Sequence, residues 1–251
     1  MRQVTTISAS LATVAALAIA GCGGGGGSEG STRALPQGGE AVSLDPSEFT
    51  TAIDNPYWPM KPGSRWRYTE TDSDGARLRI DVTVTDRTKR VADGIEARVV
   101  HDLVTDEKGR PVEDTYDWYA QDADGNVWYL GEDTKEFENG KVVSTAGSWE
   151  AGVDGAEPGI AMPAAPEPGL TYRQEYYAGE AEDNGEVVSV DDQAEVPAGH
   201  YSPVVMTRDT TPVEPKVLEF KFYAEGVGPV LELTASGGSD RAELVSFEPG
   251  G

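Results

Sequence analysis

The sequence predicts an all-β protein whose antiparallel strands form one curved or closed sheet, preceded by one short N-terminal helix. Two observations carry this prediction. Apolar and polar residues alternate with a period of two in most runs after Trp66, and turns rich in Gly, Pro, Asn and Asp separate those runs. The clearest run is 78–85, in which Leu, Ile and Val alternate with Arg, Asp and Thr, the pattern of a strand with one buried face.

The short helix is predicted from a start signal at Asp45. Asp45 can cap a helix, Pro46 suits its first position, and Glu48 can reach back to the cap. Pro56 disfavours helical geometry in the residue before it, so we expect the helix to end by Asn55.

The alternating pattern predicts further strands from residue 95 onward. They span residues 95–103, 116–120, 127–130, 172–177, 186–190, 202–207, 217–223, 230–233 and 242–247, with a short strand around 142–143. The rest of 133–168 alternates poorly and is rich in Gly and Pro, so we expect a long irregular connection there.

A hairpin is predicted where two aromatic runs flank the turn 122–125. In the register that pairs the two residues next to the turn, Trp118 lies opposite Tyr129 and Tyr119 lies opposite Trp128 on the other face. This places large aromatic rings on both faces of the hairpin. The four rings are a candidate ligand-binding site, and burial in an ordinary core is the alternative.

The second half of the chain is similar to the first. Residues 59–66 correspond to 165–172 at an offset of 106, and the valines and aspartate of 82–86 fall on those of 188–192 at the same offset. The order of the matches is kept and the gaps between them are small. We interpret this as an internal duplication whose two halves contribute to one sheet.

These patterns predict the following organisation. Residues 1–21 form a signal peptide, and 22–40 form a flexible Gly-rich tether with too few apolar residues to fold. Residues 41–251 form a single β domain, with repeat units at about 55–157 and 158–248.

The N-terminal residues indicate export. An apolar run from Leu11 to Ala20 follows Arg2, and it is too short to span about 30 Å of hydrocarbon as a helix. The run ends in Ile-Ala-Gly-Cys, which resembles the lipobox of bacterial lipoproteins. The resemblance implies cleavage before Cys22, a lipid on its thiol, and a membrane-anchored protein that faces the extracytoplasmic side. An ordinary signal peptide with an incidental cysteine is the alternative.

A second resemblance covers residues from about 55 to 230. The Pro-x-x-Pro-Gly-x-x-aromatic opening at 59–66, the hairpin strand 114–120 and the turn at 223–230 resemble a group of uncharacterised exported bacterial lipoproteins. This group has no known activity, so the resemblance implies a location and a fold without a reaction.

Composition excludes several classes of function. Cys22 is the only cysteine, which rules out a disulfide framework and thiolate metal sites. The chain has 44 acidic and 20 basic residues and a formal net charge of −24. A field of that sign repels phosphate backbones, so we expect no nucleic-acid partner.

No catalytic motif stands out. The two histidines, His101 and His200, are not spaced as a zinc pair, and there is no Gly-x-Ser-x-Gly elbow. We therefore expect no enzyme activity. A hydrolase of envelope glycans that uses two carboxylates is the alternative, although the sequence cannot select a pair among 44 candidates.

One turn has a weak likeness to a calcium loop. When Gly125 is aligned with the invariant glycine of an EF-hand loop, Asp122 and Asp124 fall on ligand positions. Ala120 and Gly131 then occupy the first and last ligand positions, where an EF-hand needs carboxylates. A tight hairpin turn explains the same residues without an ion. Weak calcium binding by Asp122, Asp124 and Glu132 is therefore a hypothesis, and we expect no other cofactor.

The function that these observations favour is a lipid-anchored, non-catalytic binding or interaction module at the cell envelope. Its partners would be the membrane, through Cys22, and either an apolar or carbohydrate ligand or an envelope protein. A purely structural spacer is a third possibility.

Overall fold

A computed structural model describes residues 34–251. Within this range, sixteen strands form a single antiparallel sheet, which confirms the all-β prediction. The strands are β1 (Phe49–Thr50), β2 (Arg65–Thr71), β3 (Arg77–Arg90), β4 (Glu96–Asp106), β5 (Pro111–Asp122), β6 (Val127–Glu138), β7 (Lys141–Ser144), β8 (Trp149–Glu150), β9 (Glu157–Met162), β10 (Thr171–Arg173), β11 (Glu175–Tyr176), β12 (Asn184–Val196), β13 (Gly199–Thr210), β14 (Leu218–Ala224), β15 (Gly228–Ser236) and β16 (Arg241–Glu248).

The sheet curves into a nearly closed barrel. Its path runs β10-β12-β13-β14-β15-β16-β2-β3-β4-β5-β6-β9-β11, with β1 added to β5 and both β7 and β8 added to β6. Strand β10 pairs with β12 at one end of the path, and β11 pairs with β9 at the other. Since Gln174 alone separates β10 from β11, one short stretch of chain joins the two ends.

The predicted N-terminal helix is wrong. Only Pro46–Glu48 are helical, as one 3₁₀ turn in which the Asp45 side chain accepts from the Ser47 N–H. Phe49 is already extended, and it pairs with Asp122 as the start of β1. The cap therefore forms as predicted, but pairing with the end of β5 outweighs the local helical signal. No helix within 34–251 is long and apolar enough to cross a membrane.

The short strand predicted around 142–143 is β7, but the predicted irregular connection after it contains two further strands, β8 and β9. The misleading signal is Pro158-Gly159, which lies inside β9 instead of marking a turn. A Cβ on Gly159 would lie 2.3 Å from the Gln174 carbonyl oxygen, so glycine is needed there for close backbone approach.

The hairpin has a different register from the predicted one. Gln121 pairs with Val127, and Tyr119 lies opposite Tyr129. The reason is that the Asp122 N–H donates to the Asn126 carbonyl at 3.0 Å and so closes the loop. Three residues, 123–125, remain in the loop, and the last of them, Gly125, has a positive φ. The register also shifts between Asp117 and Tyr119, so Trp118 has no direct partner on β6, although it pairs with Val99 on β4.

The predicted duplication remains a prediction. Trp66 lies opposite Val82, whereas Tyr172, its counterpart at the offset of 106, lies opposite Gly185. The strand pairing therefore makes Gly185 the counterpart of Val82 in the second half. The sequence match instead makes Val188 its counterpart.

The last described residues of the predicted tether, 36–40, contact the β domain. Pro36 is buried, and its carbonyl accepts from the Arg173 N–H at 2.7 Å. The Arg173 guanidinium also donates to the carbonyls of Gly38 and Glu40. Cys22 and the predicted signal peptide lie outside the described residues.

Candidate functional site

The barrel encloses a main cavity of about 220 Å³. Seven strands that are consecutive in the sheet, from β14 through β16 and β2 to β5, supply most of its wall. Trp58, from the segment before β2, reaches across this arc. Its ring centroid lies 5.6 Å from that of Tyr119 on β5 and 5.8 Å from that of Tyr223 on β14. The cavity is therefore the interior of the curved sheet.

Two further spaces adjoin the main cavity. A side cavity of about 120 Å³ shares Trp58, Tyr119, Lys221 and Tyr223 with it. An end cavity of about 240 Å³ shares Ile80, Glu232 and Ala242 with it. We refer to the three together as the lumen.

The lumen has an apolar wall and an acidic wall. Because side chains alternate between the two faces of a strand, each strand directs one of its two sets of residues into the lumen. Ile80, Val82 and Val84 of β3 line the main cavity as the prediction of one buried face implies. On β14, by contrast, the residues that line the lumen are the charged or polar ones, including Lys221 and Tyr223. The sequence places these in an alternating strand but does not reveal that its charged face points inward.

The described residues that line the lumen carry an excess of negative charge. Lys221 is the cation among them. The carboxyl groups number eight: Asp102, Asp117 and Glu232 in the main cavity, Glu175 and Asp183 in the side cavity, and Glu70, Glu219 and Asp240 in the end cavity, where Glu232 also appears.

Asp102 is the most exceptional of these groups. Its Oδ1 is buried and has no hydrogen-bond partner among the described residues. Burial raises the pKa of Asp102 well above its ordinary value, and the nearby carboxyls of Asp117, Glu113 and Glu232 raise it further. A buried polar atom without a partner is costly. Tyr172 OH, Thr207 Oγ1 and Asp209 Oδ1 also lack a partner among the described residues, but of these four residues only Asp102 lines the main cavity.

Tyr129 links two other carboxyls. Its hydroxyl lies 2.8 Å from Asp117 Oδ1 and 3.0 Å from Glu132 Oε2. A phenol has one proton to donate, so one of the two carboxyls must be protonated and donate to the phenol oxygen. Burial raises the pKa of Glu132 to about 9 and that of Asp117 to about 7. Glu132 therefore holds the proton at neutral pH.

Lys221 forms an ion pair with one carboxylate. Its Nζ lies 3.1 Å from Asp209 Oδ2, and Gln174 Nε2 donates to the same oxygen at 3.0 Å. Burial would lower the pKa of Lys221, but the carboxylates of Glu232 and Asp209 raise it well above the ordinary value. The ammonium therefore stays charged inside the lumen.

The structure separates the four predicted ligand-binding aromatics into two pairs. Tyr119 and Tyr129 stack with centroids 5.0 Å apart and line the side cavity. Trp128 is 1% exposed, and its Nε1 donates to Asp122 Oδ2 at 2.8 Å. The Lys89 ammonium lies over the Trp118 ring, 4.1 Å from the ring centroid, in a cation–π contact. Neither tryptophan lines the lumen.

The structure does not bring the three residues of the calcium hypothesis together. The Asp122 carboxylate accepts from the backbone and side-chain N–H groups of Asn126 as well as from Trp128. Asp124 is exposed in the turn, whereas Glu132 lies along β6 opposite Asp117. Within 34–251, no group of three or more His, Cys, Asp or Glu side chains is placed to hold a metal ion.

Sequence reasoning missed Asp102, Lys221 and Glu232 as functional candidates. Each lies within a strand that the sequence predicts, 95–103, 217–223 or 230–233, but a predicted strand does not show which of its side chains line a cavity. The available signal was a charged residue flanked by aromatics, as in Phe220-Lys221-Phe222, but the same pattern is typical of an exposed strand face.

Comparison with known proteins gives two structural neighbours. A protein of Bacteroides fragilis NCTC 9343, predicted to be exported and described as having a YmcC-like fold, is 14% identical over 77% of this chain and 99% of its own, with a TM-score of 0.46. A predicted lipoprotein of Parabacteroides distasonis ATCC 8503 is 10% identical over 76% and 98%, with a TM-score of 0.42. No protein-family model matches the sequence, and no curated protein is significantly similar to it.

Proposed function

We propose that this protein is a lipid-anchored, extracytoplasmic, non-catalytic binding module that holds a small ligand in the lumen of its barrel. The observation that carries the proposal is Asp102, whose buried Oδ1 has no hydrogen-bond partner among the described residues and which lines the main cavity with Trp58, Tyr119 and Tyr223. Mostly apolar walls with a few placed polar groups are typical of small-molecule sites. The lipobox resemblance at Cys22 supports the location.

A rigid wall supports binding in the lumen over docking on the outer surface. Most of the main cavity's wall lies on long paired strands, and the Tyr129 hydroxyl holds the lumen carboxyl of Asp117 at 2.8 Å. A site whose side chains are already held loses less entropy when a ligand enters.

The alternative function, a carboxylate-dependent glycan hydrolase, has one candidate pair in Asp117 and Glu132. A glycosidase holds its two carboxyls on either side of the scissile bond. Here the Tyr129 hydroxyl bonds to both carboxyls and fills the space between them. This arrangement favours binding over hydrolysis at this pair.

We also propose that the two repeat units, about 55–157 and 158–248, arose by duplication. Both Pro-Gly turns are held in the same way: Gly63 N donates to Val84 O at 2.9 Å, and Gly169 N donates to Val187 O at 2.8 Å. A crystal structure in which 59–84 superposes on 165–187 with both bonds intact would support duplication, and loss of either bond would count against it.

Native mass spectrometry tests the binding proposal. The full chain, expressed with export and released from membranes by a mild detergent, is measured before and after extraction with organic solvent. We expect extra mass that disappears on extraction, at about one ligand per chain. A bare mass before extraction would contradict stable ligand carriage. The control is a Trp58→Ala variant, which should lose the extra mass because it removes one wall of both the main and side cavities.

A further inference from the structure

The charge inside the lumen restricts what it can hold. In the main cavity three carboxyl groups face one ammonium, and that ammonium belongs to Lys221, which already pairs with Asp209. An anionic ligand would meet the same carboxyls and would be repelled. Anions are therefore disfavoured.

A neutral apolar ligand fits the aromatic wall but leaves Asp102 without a partner. Asp102 lines the main cavity, and its Oδ1 is buried without a hydrogen-bond partner among the described residues. Filling the cavity with a group that cannot donate would remove the remaining access to solvent and leave the full desolvation cost of the carboxyl. The ligand therefore needs a donor directed at Asp102.

Aromatic rings surround the same space. Trp58 contacts both Tyr119 and Tyr223, and all three line the main cavity with Asp102. The negative face of an aromatic ring attracts a cation, and the ring also packs against an apolar body. Together, rings and carboxyls suit an ammonium group attached to an apolar moiety.

A metal cation fits less well. Within 34–251, the structure contains no group of three or more His, Cys, Asp or Glu side chains placed to bind a metal ion. The carboxyls are spread along the lumen, and the Tyr129 hydroxyl already bonds to one of them, Asp117. The main cavity also limits the size of the ligand. Its volume of about 220 Å³ is below the roughly 300–1,000 Å³ of sites that hold drug-sized ligands, so it has room for a smaller molecule.

We propose that the lumen binds a small organic cation, with its ammonium group against Asp102 and its apolar body against Trp58, Tyr119 and Tyr223. This inference rests on the proposed function, that the lumen holds a ligand, and adds the chemical class of that ligand.

Isothermal titration calorimetry of the full chain in a nonionic detergent tests whether the ligand is an organic cation. It uses three probes of similar size and shape that differ in charge. They are 2-phenylethylammonium, the neutral 2-phenylethanol and the anionic 3-phenylpropionate. We expect the amine to bind at least about ten-fold more tightly than the alcohol, since an ammonium beside Asp102 favours the charged form of the carboxyl, and a hydrogen bond between charged groups is worth more than a neutral one. We expect no binding of the anion, and empty micelles give the background heat.

Asp102→Asn tests the assigned partner. We expect it to weaken amine binding by about ten-fold or more and to narrow the difference between amine and alcohol. Asp74→Asn is the matched control: it removes one negative charge from an exposed turn and should leave the affinity unchanged. If Asp102→Asn fails to fold, the three probes on the unaltered chain still decide between the ligand classes.

The outcomes separate this inference from the proposed function. Equal binding of amine and alcohol, stronger binding of the anion, or no binding of any probe would overturn the cationic class. A neutral or anionic molecule released by organic extraction would also overturn it and leave ligand binding intact. A bare mass in native spectrometry would overturn both.

Discussion

Arg173 donates from both Nε and Nη2 to the carbonyl oxygen of Pro158, at 3.1 and 2.7 Å. Arg173 ends β10 and Pro158 lies in β9, so this contact joins the two ends of the sheet path across the gap between them. The guanidinium is 1% exposed. The residue that closes the barrel is thus a buried cation bonded to backbone carbonyls.

Arg173→Met should lower the free energy of unfolding by about 3 kcal/mol, because it leaves several carbonyls without their donor. Urea denaturation followed by circular dichroism measures the change. Arg79→Met, on the exposed side of β3, is the control and should change stability by less than about 0.5 kcal/mol. Equal effects of the two variants would show that Arg173 does not hold the barrel closed.

Stability should fall as pH rises from about 5 to 9. The folded pKa of Glu132 is about 9, against an ordinary value of 4.5, so the folded state binds its proton more tightly than the unfolded state does. The stabilisation is complete below pH 4.5 and is lost as pH rises toward 9. Asp117, at about 7, and Glu175, at about 8, act in the same direction.

Thermal melts of the unaltered chain and of Glu132→Gln check this sign. One proton contributes a slope of at most about 1.4 kcal/mol per pH unit, and the variant should have a shallower slope. Glu138→Gln, at the exposed end of β6, should keep the original slope. A melting temperature that increases between pH 6 and 9 would refute the assignment of buried protonated carboxyls.

Trp128→Phe should cost about 2 kcal/mol of stability and leave ligand binding unchanged. It removes the Nε1–H bond to Asp122 Oδ2 in a buried turn and leaves the lumen wall as it is. Denaturation and native mass spectrometry on one preparation measure both properties. Loss of ligand with normal stability would place this tryptophan in the binding site.

Cys22→Ala should abolish incorporation of a labelled fatty acid, because the lipid would have no thiol to join. Metabolic labelling followed by immunoprecipitation measures the incorporation. Ser28→Ala, six residues on, should be labelled like the unaltered chain. A labelled Cys22→Ala protein would contradict lipid attachment at this residue.

The fold class could be predicted because alternation is a local property of the sequence. The run 78–85 belongs to β3 as expected, and the cap at Asp45 forms. The failed predictions depended on distant neighbours. Phe49 extends because β5 offers a pairing edge, and Gly159 sits within a strand because the Gln174 backbone approaches it.

The site could be predicted only in part for the same reason. Tyr119 and Tyr129 were selected from their place in a hairpin, and both line the lumen. Asp102 was not selected, because alternation shows that a strand has two faces without showing which face a curved sheet encloses. In an acidic chain, a charged residue that faces a lumen has the same sequence signature as one that faces solvent.

A crystal structure of the protein isolated from its own envelope tests the central claim most directly. We predict density for a small molecule in the main cavity, with a donor atom within hydrogen-bond distance of Asp102 Oδ1. A main cavity that is filled by protein side chains, or Asp102 bonded to another residue of the chain, would contradict the account.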